Sequence, residues 1–85
     1  MEIEFSIHAL ERMKNRGISK SDVKEVLKNF DSLLKQDINI KIFSKILIKS
    51  NKTWLYRVFV NTTKKPQLVI TVYRTSKIEK YGYKI

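Results

Sequence analysis

The single histidine of this 85-residue chain is followed by two arginines at intervals of four residues. In a helix, this spacing places His8, Arg12 and Arg16 about one turn apart from each other. An imidazole ordinarily titrates at about pH 6.5 and therefore moves protons near neutral pH. A guanidinium group can hold a phosphate through two parallel hydrogen bonds. These three residues, called the His/Arg row below, predict acid–base chemistry on a phosphate group.

The His/Arg row also has a structural explanation, and the sequence leaves both open. A lone histidine at the start of a helix often only caps the helix or packs against a neighbour. Arg12 and Arg16 can instead form surface ion pairs, for instance with Glu11.

A second candidate residue lies on the predicted strand at residues 54–60. Alternation along a strand places Arg57 on the same face as Leu55 and Phe59. A charge in the middle of a strand is less expected than an apolar or β-branched side chain. Arg57 is therefore predicted to stabilise negative charge at a site. The structural alternative is that it protects a sheet edge from aggregation.

The predicted strand at residues 68–73 supplies further candidates. Thr71, Tyr73 and Thr75 share one face. The opposite face is expected to be core and consists of Leu68, Ile70 and Val72. Tyr73 can donate a hydrogen bond or stack on a base, although strand tyrosines more often belong to a core or its rim. Tyr73 and Arg57 can join the His/Arg row where the sheet adjoins the helix, at a strand register that the sequence does not fix.

The C-terminal segment from Thr75 onward is predicted to be a loop or a short helix. Its three lysines, Lys77, Lys80 and Lys84, are interleaved with Tyr81 and Tyr83. Basic grooves with aromatic platforms are typical of proteins that bind single-stranded nucleic acid. The residues predicted to bind nucleic acid without taking part in chemistry are Arg16, Thr71, Lys77, Lys80 and Tyr81.

Two helices are predicted in the N-terminal third of the chain. Ser6 is a suitable N-cap, and Gly17 favours the left-handed turn that ends a helix at about residues 7–16. Ser19 and Asp22 have the spacing of a capping box and begin a second helix at about 20–30. The second helix has one apolar side, formed by Val23, Val26, Leu27 and Phe30.

After residue 31 the apolar period changes from that of a helix to that of a strand. Residues 33–34 are a short strand or a connector, and strand-like runs follow at 38–42, 46–48, 54–60 and 68–73. Turns are predicted at 50–52 and 61–66, and residues 2–5 form a lead-in. The predicted fold is a single α+β domain over residues 1–85. Its two N-terminal helices pack on one face of a three- to four-stranded antiparallel meander.

The charge is strongly positive and unevenly distributed. Lys and Arg number 18 against 8 acidic residues, which gives a net charge of +10. Residues 1–30 hold 6 basic and 5 acidic side chains, whereas residues 31–85 hold 12 and 3. A surface of this sign favours a polyanion through counterion release, and nucleic acid is the expected partner. A lysine-rich surface that only maintains solubility is the alternative, and an anionic membrane is not expected.

Composition excludes several other classes. The chain has no cysteine, and a single histidine makes a catalytic zinc site improbable. No metal or cofactor is therefore expected. No apolar run reaches the roughly 18 residues that span a bilayer, and the N-terminus is acidic where a signal peptide would be basic. These features predict a cytoplasmic protein.

The helix His8-Ala-Leu-Glu-Arg12-Met-Lys-Asn-Arg16-Gly-Ile18 and the strand Val69-Ile-Thr-Val-Tyr73-Arg-Thr75 carry a resemblance. They resemble a bacterial and archaeal domain-of-unknown-function family marked by a His-x-x-x-Arg-x-x-x-Arg-Gly-Ile helix. That family looks related to BrnT-like toxins and, more distantly, to the RelE/ParE toxins. The resemblance implies a RelE/BrnT-like fold and points to the His/Arg row with Thr71 and Tyr73.

The resemblance and the charge together favour a metal-independent endoribonuclease of toxin–antitoxin type. Its substrate is expected to be single-stranded or ribosome-bound RNA, cut by attack of a ribose 2′-hydroxyl on the adjacent phosphate. His8, Arg12, Arg57 and Tyr73 are the expected catalytic residues, and the expected partner is an acidic or DNA-binding antitoxin. Two alternatives remain at this point: a non-catalytic nucleic-acid-binding module, and a ParE-like inhibitor of a protein target.

Overall fold

The chain folds into two helices, five strands and a final short helix. A computed structural model describes residues 2–81, except for the side chain of Tyr81. In chain order the elements are β1 (Ile3–Phe5), α1 (Ile7–Arg16), α2 (Lys20–Lys28), β2 (Ser32–Lys35), β3 (Ile40–Lys49), β4 (Lys52–Asn61), β5 (Gln67–Thr75) and a 3-10 helix (Ile78–Tyr81). None of the described helices is both long and apolar enough to cross a bilayer.

The helices begin and end at the predicted capping residues. The Ser6 hydroxyl accepts the N–H of Ala9 at 3.0 Å, and the Ser19 hydroxyl accepts that of Asp22 at 3.0 Å. Gly17 has φ +66°, a left-handed conformation that costs an L side chain energy and costs glycine little. Helix α2 ends at Lys28, two residues earlier than predicted, because Asn29 leaves the helical conformation and caps it.

The sheet is larger than predicted and its strands are mixed in direction. Its order is β1-β5-β4-β3-β2, in which β2 to β5 form an antiparallel meander and β1 runs parallel to β5. The lead-in at residues 2–5 thus supplies a strand, and the uncertain segment at 33–34 supplies another. The two runs predicted at 38–42 and 46–48 belong to the single strand β3, because residues 43–45 continue the same ladder.

The core lies between the sheet and one layer of helices, as the sequence predicts. Ala9 and Met13 of α1 are buried against β5, and α2 packs on β3 and β4. The buried side chains on this side of the sheet are Phe43, Tyr56, Val58, Val60, Val69 and Val72. The opposite side of the sheet, called the open face below, has no helix of the pair on it, although Ile42, Ser44 and Leu55 on this side are also buried.

A β-bulge in β5 changes which residues point into the core. Phe59 pairs with Thr71, but the next residue, Val60, pairs with Val69, so Ile70 is the extra residue. Val69 and Val72 therefore both point toward the helices and are fully buried. Of the predicted core face, Val72 is confirmed, whereas Leu68 and Ile70 are only half-buried and Val69 takes their place, because simple alternation ignores an inserted residue.

The bulge also anchors the start of α1. The Ser6 N–H donates to the Val69 carbonyl oxygen at 2.9 Å, and the Ser6 hydroxyl donates to the Ile70 carbonyl oxygen at 3.0 Å. A bulge leaves its extra residue outside the regular ladder, so this carbonyl is available to a side chain. One serine thus caps the helix and fastens it to the sheet.

We expect Ser6→Ala to lower the free energy of unfolding more than Ser19→Ala does. Loss of an N-cap costs about 1 kcal/mol, and the loss of the second hydrogen bond brings the Ser6 effect to about 2 kcal/mol. Urea denaturation of both variants measures the difference. Ser19 is the matched control because its hydroxyl caps α2 in the same way without a bond to the sheet. Equal losses in the two variants would show that the bond to Ile70 contributes nothing.

Candidate nucleic-acid interface

The most defined polar contact on the open face joins β4 and β5. Arg57 lies directly opposite Tyr73 in the antiparallel register, and its Nη1 donates to the Tyr73 hydroxyl at 2.6 Å. The guanidinium carbon also lies 5.7 Å from the ring centroid of Phe59 and 5.7 Å from that of Tyr73. A cation held over two aromatic rings is stabilised by their negative faces. Arg57 is therefore held in a fixed orientation on the sheet.

A groove of about 450 Å³ extends from Arg57 toward β2. It is called the open-face groove below and is lined by Ser32, Leu33, Leu34, Ser44, Leu55, Arg57 and Lys80. Ser44 lies opposite Arg57 on one side and opposite Ser32 on the other, so the polar residues form a line across three strands. Lys80 reaches the groove from the 3-10 helix. The described lining thus offers two cations and two hydroxyls, a combination that suits a phosphate.

The strands behind this groove contain no acidic residue. Strands β2 to β5 hold no Asp or Glu, whereas they hold Lys35, Lys41, Lys45, Lys49, Lys52, Arg57 and Arg74. Carboxylates near the helix layer offset the charge of two of these lysines. The Oδ1 atom of Asp31 lies 3.6 Å from Nζ of Lys45, and Oδ1 of Asp22 lies 2.8 Å from Nζ of Lys49. The hydrogen bond and charge of Asp22 raise the pKa of the Lys49 amine. Strands β2 to β5 thus contribute positive charge only, but Arg57 is the one of these cations that lies on the open face, and the other six lie on the side of the helices.

The His/Arg row lies on α1, apart from the Arg57–Tyr73 pair. His8, Arg12 and Arg16 are all exposed, while α1 contacts the sheet through its other residues. No hydrogen bond or ion pair joins the row to Arg57 or Tyr73 within residues 2–81. The helices cover the face opposite to these two residues. The single constellation expected from the sequence does not form, and a catalytic role for His8 stays a prediction.

The remaining predicted binding residues occupy different places. Thr71 is on the open face, opposite Phe59. Lys77 is exposed, and its backbone N–H donates to the Thr75 hydroxyl at 3.0 Å. Lys80 lines the open-face groove, and the side chain of Tyr81 lies outside the described part of the chain. The described tail thus brings one of its predicted residues, Lys80, to Arg57.

Arg74 makes contacts that the sequence did not predict. Its Nη1 donates to the hydroxyl of the fully buried Tyr56 at 2.9 Å, and its guanidinium carbon lies 4.5 Å from the Trp54 ring centroid. A Cβ added at Gly17 would lie 3.8 Å from its Nη2, so Arg74 also reaches the end of α1. Alternation along β5 is the one sequence signal for Arg74, because it places this residue on the face opposite to Tyr73. That Tyr56 is its hydrogen-bond partner follows from the pairing of β4 with β5, which the sequence does not fix.

The candidate interface offers hydroxyl, guanidinium and amine groups. Within residues 2–81, no three His, Cys, Asp or Glu side chains are grouped so that they could hold a metal ion. Arginine and lysine bind anions, while tyrosine, histidine and lysine can also exchange protons. The arrangement can therefore bind a phosphodiester and supply protons to it.

A family model described as a domain of unknown function (DUF4258) matches residues 5–74. The matched stretch covers both helices, the whole meander as far as Arg74, the His/Arg row and the Arg57–Tyr73 pair. It stops before Lys77 and Lys80, so these two lysines lie beyond the family's matched positions. No curated protein and no solved structure matches the chain.

Proposed function

The chain belongs to the DUF4258 family, and we propose that it is a toxin-type endoribonuclease whose open face binds and cuts RNA. The observation that carries this proposal is the Arg57–Tyr73 hydrogen bond beside a groove on strands β2 to β4, which carry no Asp or Glu. Such a surface attracts the phosphate backbone and repels little of it. A net charge of +10 strengthens the attraction.

The proposed reaction is a transesterification within the RNA. The ribose 2′-oxygen attacks the adjacent phosphorus, the bond from phosphorus to the 5′-oxygen breaks, and a 2′,3′-cyclic phosphate forms. Arg57 binds the non-bridging oxygens, where negative charge increases in the transition state. Tyr73 donates its phenolic proton to the departing 5′-oxygen. The proton of the 2′-hydroxyl passes to water, because His8 is not among the residues that line the groove.

The proposal includes a RelE/BrnT-like arrangement, in which helices cover one face of the sheet and RNA lies on the other. Its support is the helix layer on one side and the groove on the opposite side. Such a protein acts on single-stranded or ribosome-bound RNA in the cytoplasm. Its activity is restrained by an acidic antitoxin, since a strongly basic toxin favours a partner of opposite charge.

The second candidate function is a non-catalytic RNA-binding module. It is favoured by the separation of His8 from the Arg57–Tyr73 pair, because no imidazole then stands beside the bound phosphate. In such a module, the arginines hold phosphates, and binding weakens steeply as the salt concentration rises.

The test is cleavage of an end-labelled single-stranded RNA in the presence of excess chelator. We expect products that end in 2′,3′-cyclic phosphate, formed without a divalent metal. Arg57→Lys protein, purified in the same way, is the control for contaminating ribonuclease. If free RNA stays intact, the same assay is made on translating ribosomes.

Two other results would overturn or redirect the proposal. Tight, salt-sensitive binding with intact RNA in both assays would favour the binding module. Absence of binding to RNA and ribosomes would exclude both functions and leave a protein target, as in ParE-like proteins.

A further inference from the structure

Strand β2 is an exposed apolar edge of the sheet. It is the last strand in the sheet order, so one of its edges has no neighbouring strand among the described residues. Leu33 is 44% exposed and Leu34 is 57% exposed, and Ile38, in the following turn, is 80% exposed. The outward N–H and C=O groups of an edge strand are available to a further strand. Edges of this kind are usually protected by charges, proline or a bulge, and β2 has a single charge, Lys35.

The charge at this edge is positive and is not offset by its neighbours. Lys35 lies directly opposite Lys41 of β3, and like charges in such a pair destabilise a sheet. Two carboxylates lie nearby in sequence, but the chain uses both: Asp31 and Asp37 accept backbone N–H groups of β3 and its preceding turn. Within residues 2–81, no carboxylate pairs with Lys35, so a carboxylate of a second molecule can lie beside it.

We propose that β2 binds an extended acidic segment of a partner protein, which adds a strand to this edge of the sheet. The segment alternates apolar residues, which cover Leu34 on one face of the strand, with acidic residues, which lie on the other face beside Lys35. A second copy of this chain is a poor occupant, because it would bring another net charge of +10 and another Lys35 to the same edge. This inference rests on the proposed function only for the expectation of an acidic partner protein. The exposed edge of β2 does not depend on whether the protein cleaves RNA.

The test uses a short synthetic peptide that alternates valine with glutamate, and a matched peptide that alternates valine with lysine. We expect the glutamate peptide to bind at least about tenfold more tightly than the lysine peptide, as measured by titration calorimetry. Lys35→Glu should weaken binding of the glutamate peptide by about tenfold and strengthen binding of the lysine peptide. The bound peptide should also slow amide hydrogen exchange in β2, because pairing protects the outward N–H groups.

Lys14→Glu is the matched control, because it changes the net charge equally at an exposed position on α1, which packs on β5. Binding by Lys14→Glu should stay within about twofold of the unchanged protein. Equal weakening in both variants would mean attraction by net charge alone and would overturn the proposal. Protection at β1, or a dimer of the protein alone that Leu34→Lys dissociates, would also overturn it. None of these readouts uses RNA, so the result is independent of whether the protein is a ribonuclease.

Discussion

Replacing Arg57 with alanine is expected to lower the rate of RNA cleavage by about 10²- to 10³-fold. The guanidinium group is fixed by its hydrogen bond to Tyr73 and by two aromatic rings, so it meets the phosphate without reorganising. The loss should appear mainly in kcat, because the charge on the phosphate oxygens increases in the transition state. Arg57→Lys should lose nearly as much, since an amine cannot reproduce the planar, two-pronged geometry. Single-turnover cleavage of labelled RNA measures both effects.

Controls for this prediction come from α1. Arg16→Ala removes the same charge from an exposed position outside the open-face groove, and its cleavage rate should fall by less than about tenfold. His8→Ala tests the alternative centre directly. A large loss in His8→Ala with an active Arg57→Lys protein would move the chemistry to the His/Arg row. Thermal unfolding of each variant establishes that the fold is intact.

The second large effect is expected on stability, from Arg74→Ala. Its guanidinium donates to the hydroxyl of fully buried Tyr56 and lies over the Trp54 ring, on the side of the sheet that faces the helices. Losing the hydrogen bond and the cation–π contact should lower the free energy of unfolding by about 2 kcal/mol. Chemical denaturation of the two proteins measures this difference. Arg74→Lys should recover part of the loss, because an amine also interacts with an aromatic face.

Arg16→Ala is again the control, because it removes one positive charge from an exposed residue near the same end of α1. Its free energy of unfolding should change by less than about 0.5 kcal/mol. A loss for Arg74→Ala no larger than that for Arg16→Ala would mean that the contacts with Tyr56 and Trp54 do not stabilise the fold. RNA cleavage by folded Arg74→Ala should persist, since Arg74 is on the side of the sheet away from the groove.

The elements that local signals determine could be predicted from the sequence. Ser6, Gly17 and Ser19 specified the helix ends because capping depends on residues within one turn. Alternation along β4 placed Arg57 on the correct face, because this pattern also depends only on neighbouring residues. Strand β1 could not be predicted as such, because three residues are too short for a period. The bulge at Ile70 was also missed, because it depends on which strand lies beside β5.

The candidate site was predicted only in part, because its residues meet through the fold. Arg57 and Tyr73 were both candidates, and the register brings them together. The spacing of His8, Arg12 and Arg16 along one helix was predicted. Which side of the sheet that helix covers depends on tertiary packing, which local sequence patterns do not specify. Arg74 went unnoticed because its partner Tyr56 is 18 residues away in the sequence.

Because of the bulge at Ile70, the attachment of α1 can change without a change in the pairing of β4 and β5. If Ile70 were deleted, Val69 would still pair with Val60 and Thr71 with Phe59, so the ladder would become regular and Tyr73 would stay opposite Arg57. Ser6 would lose the carbonyl to which its hydroxyl donates, and α1 would be less firmly attached. A single-residue deletion can therefore change how α1 sits while the open face keeps its register. Homologues that differ in length at this position should vary in their first helix before they vary in the Arg57–Tyr73 pair.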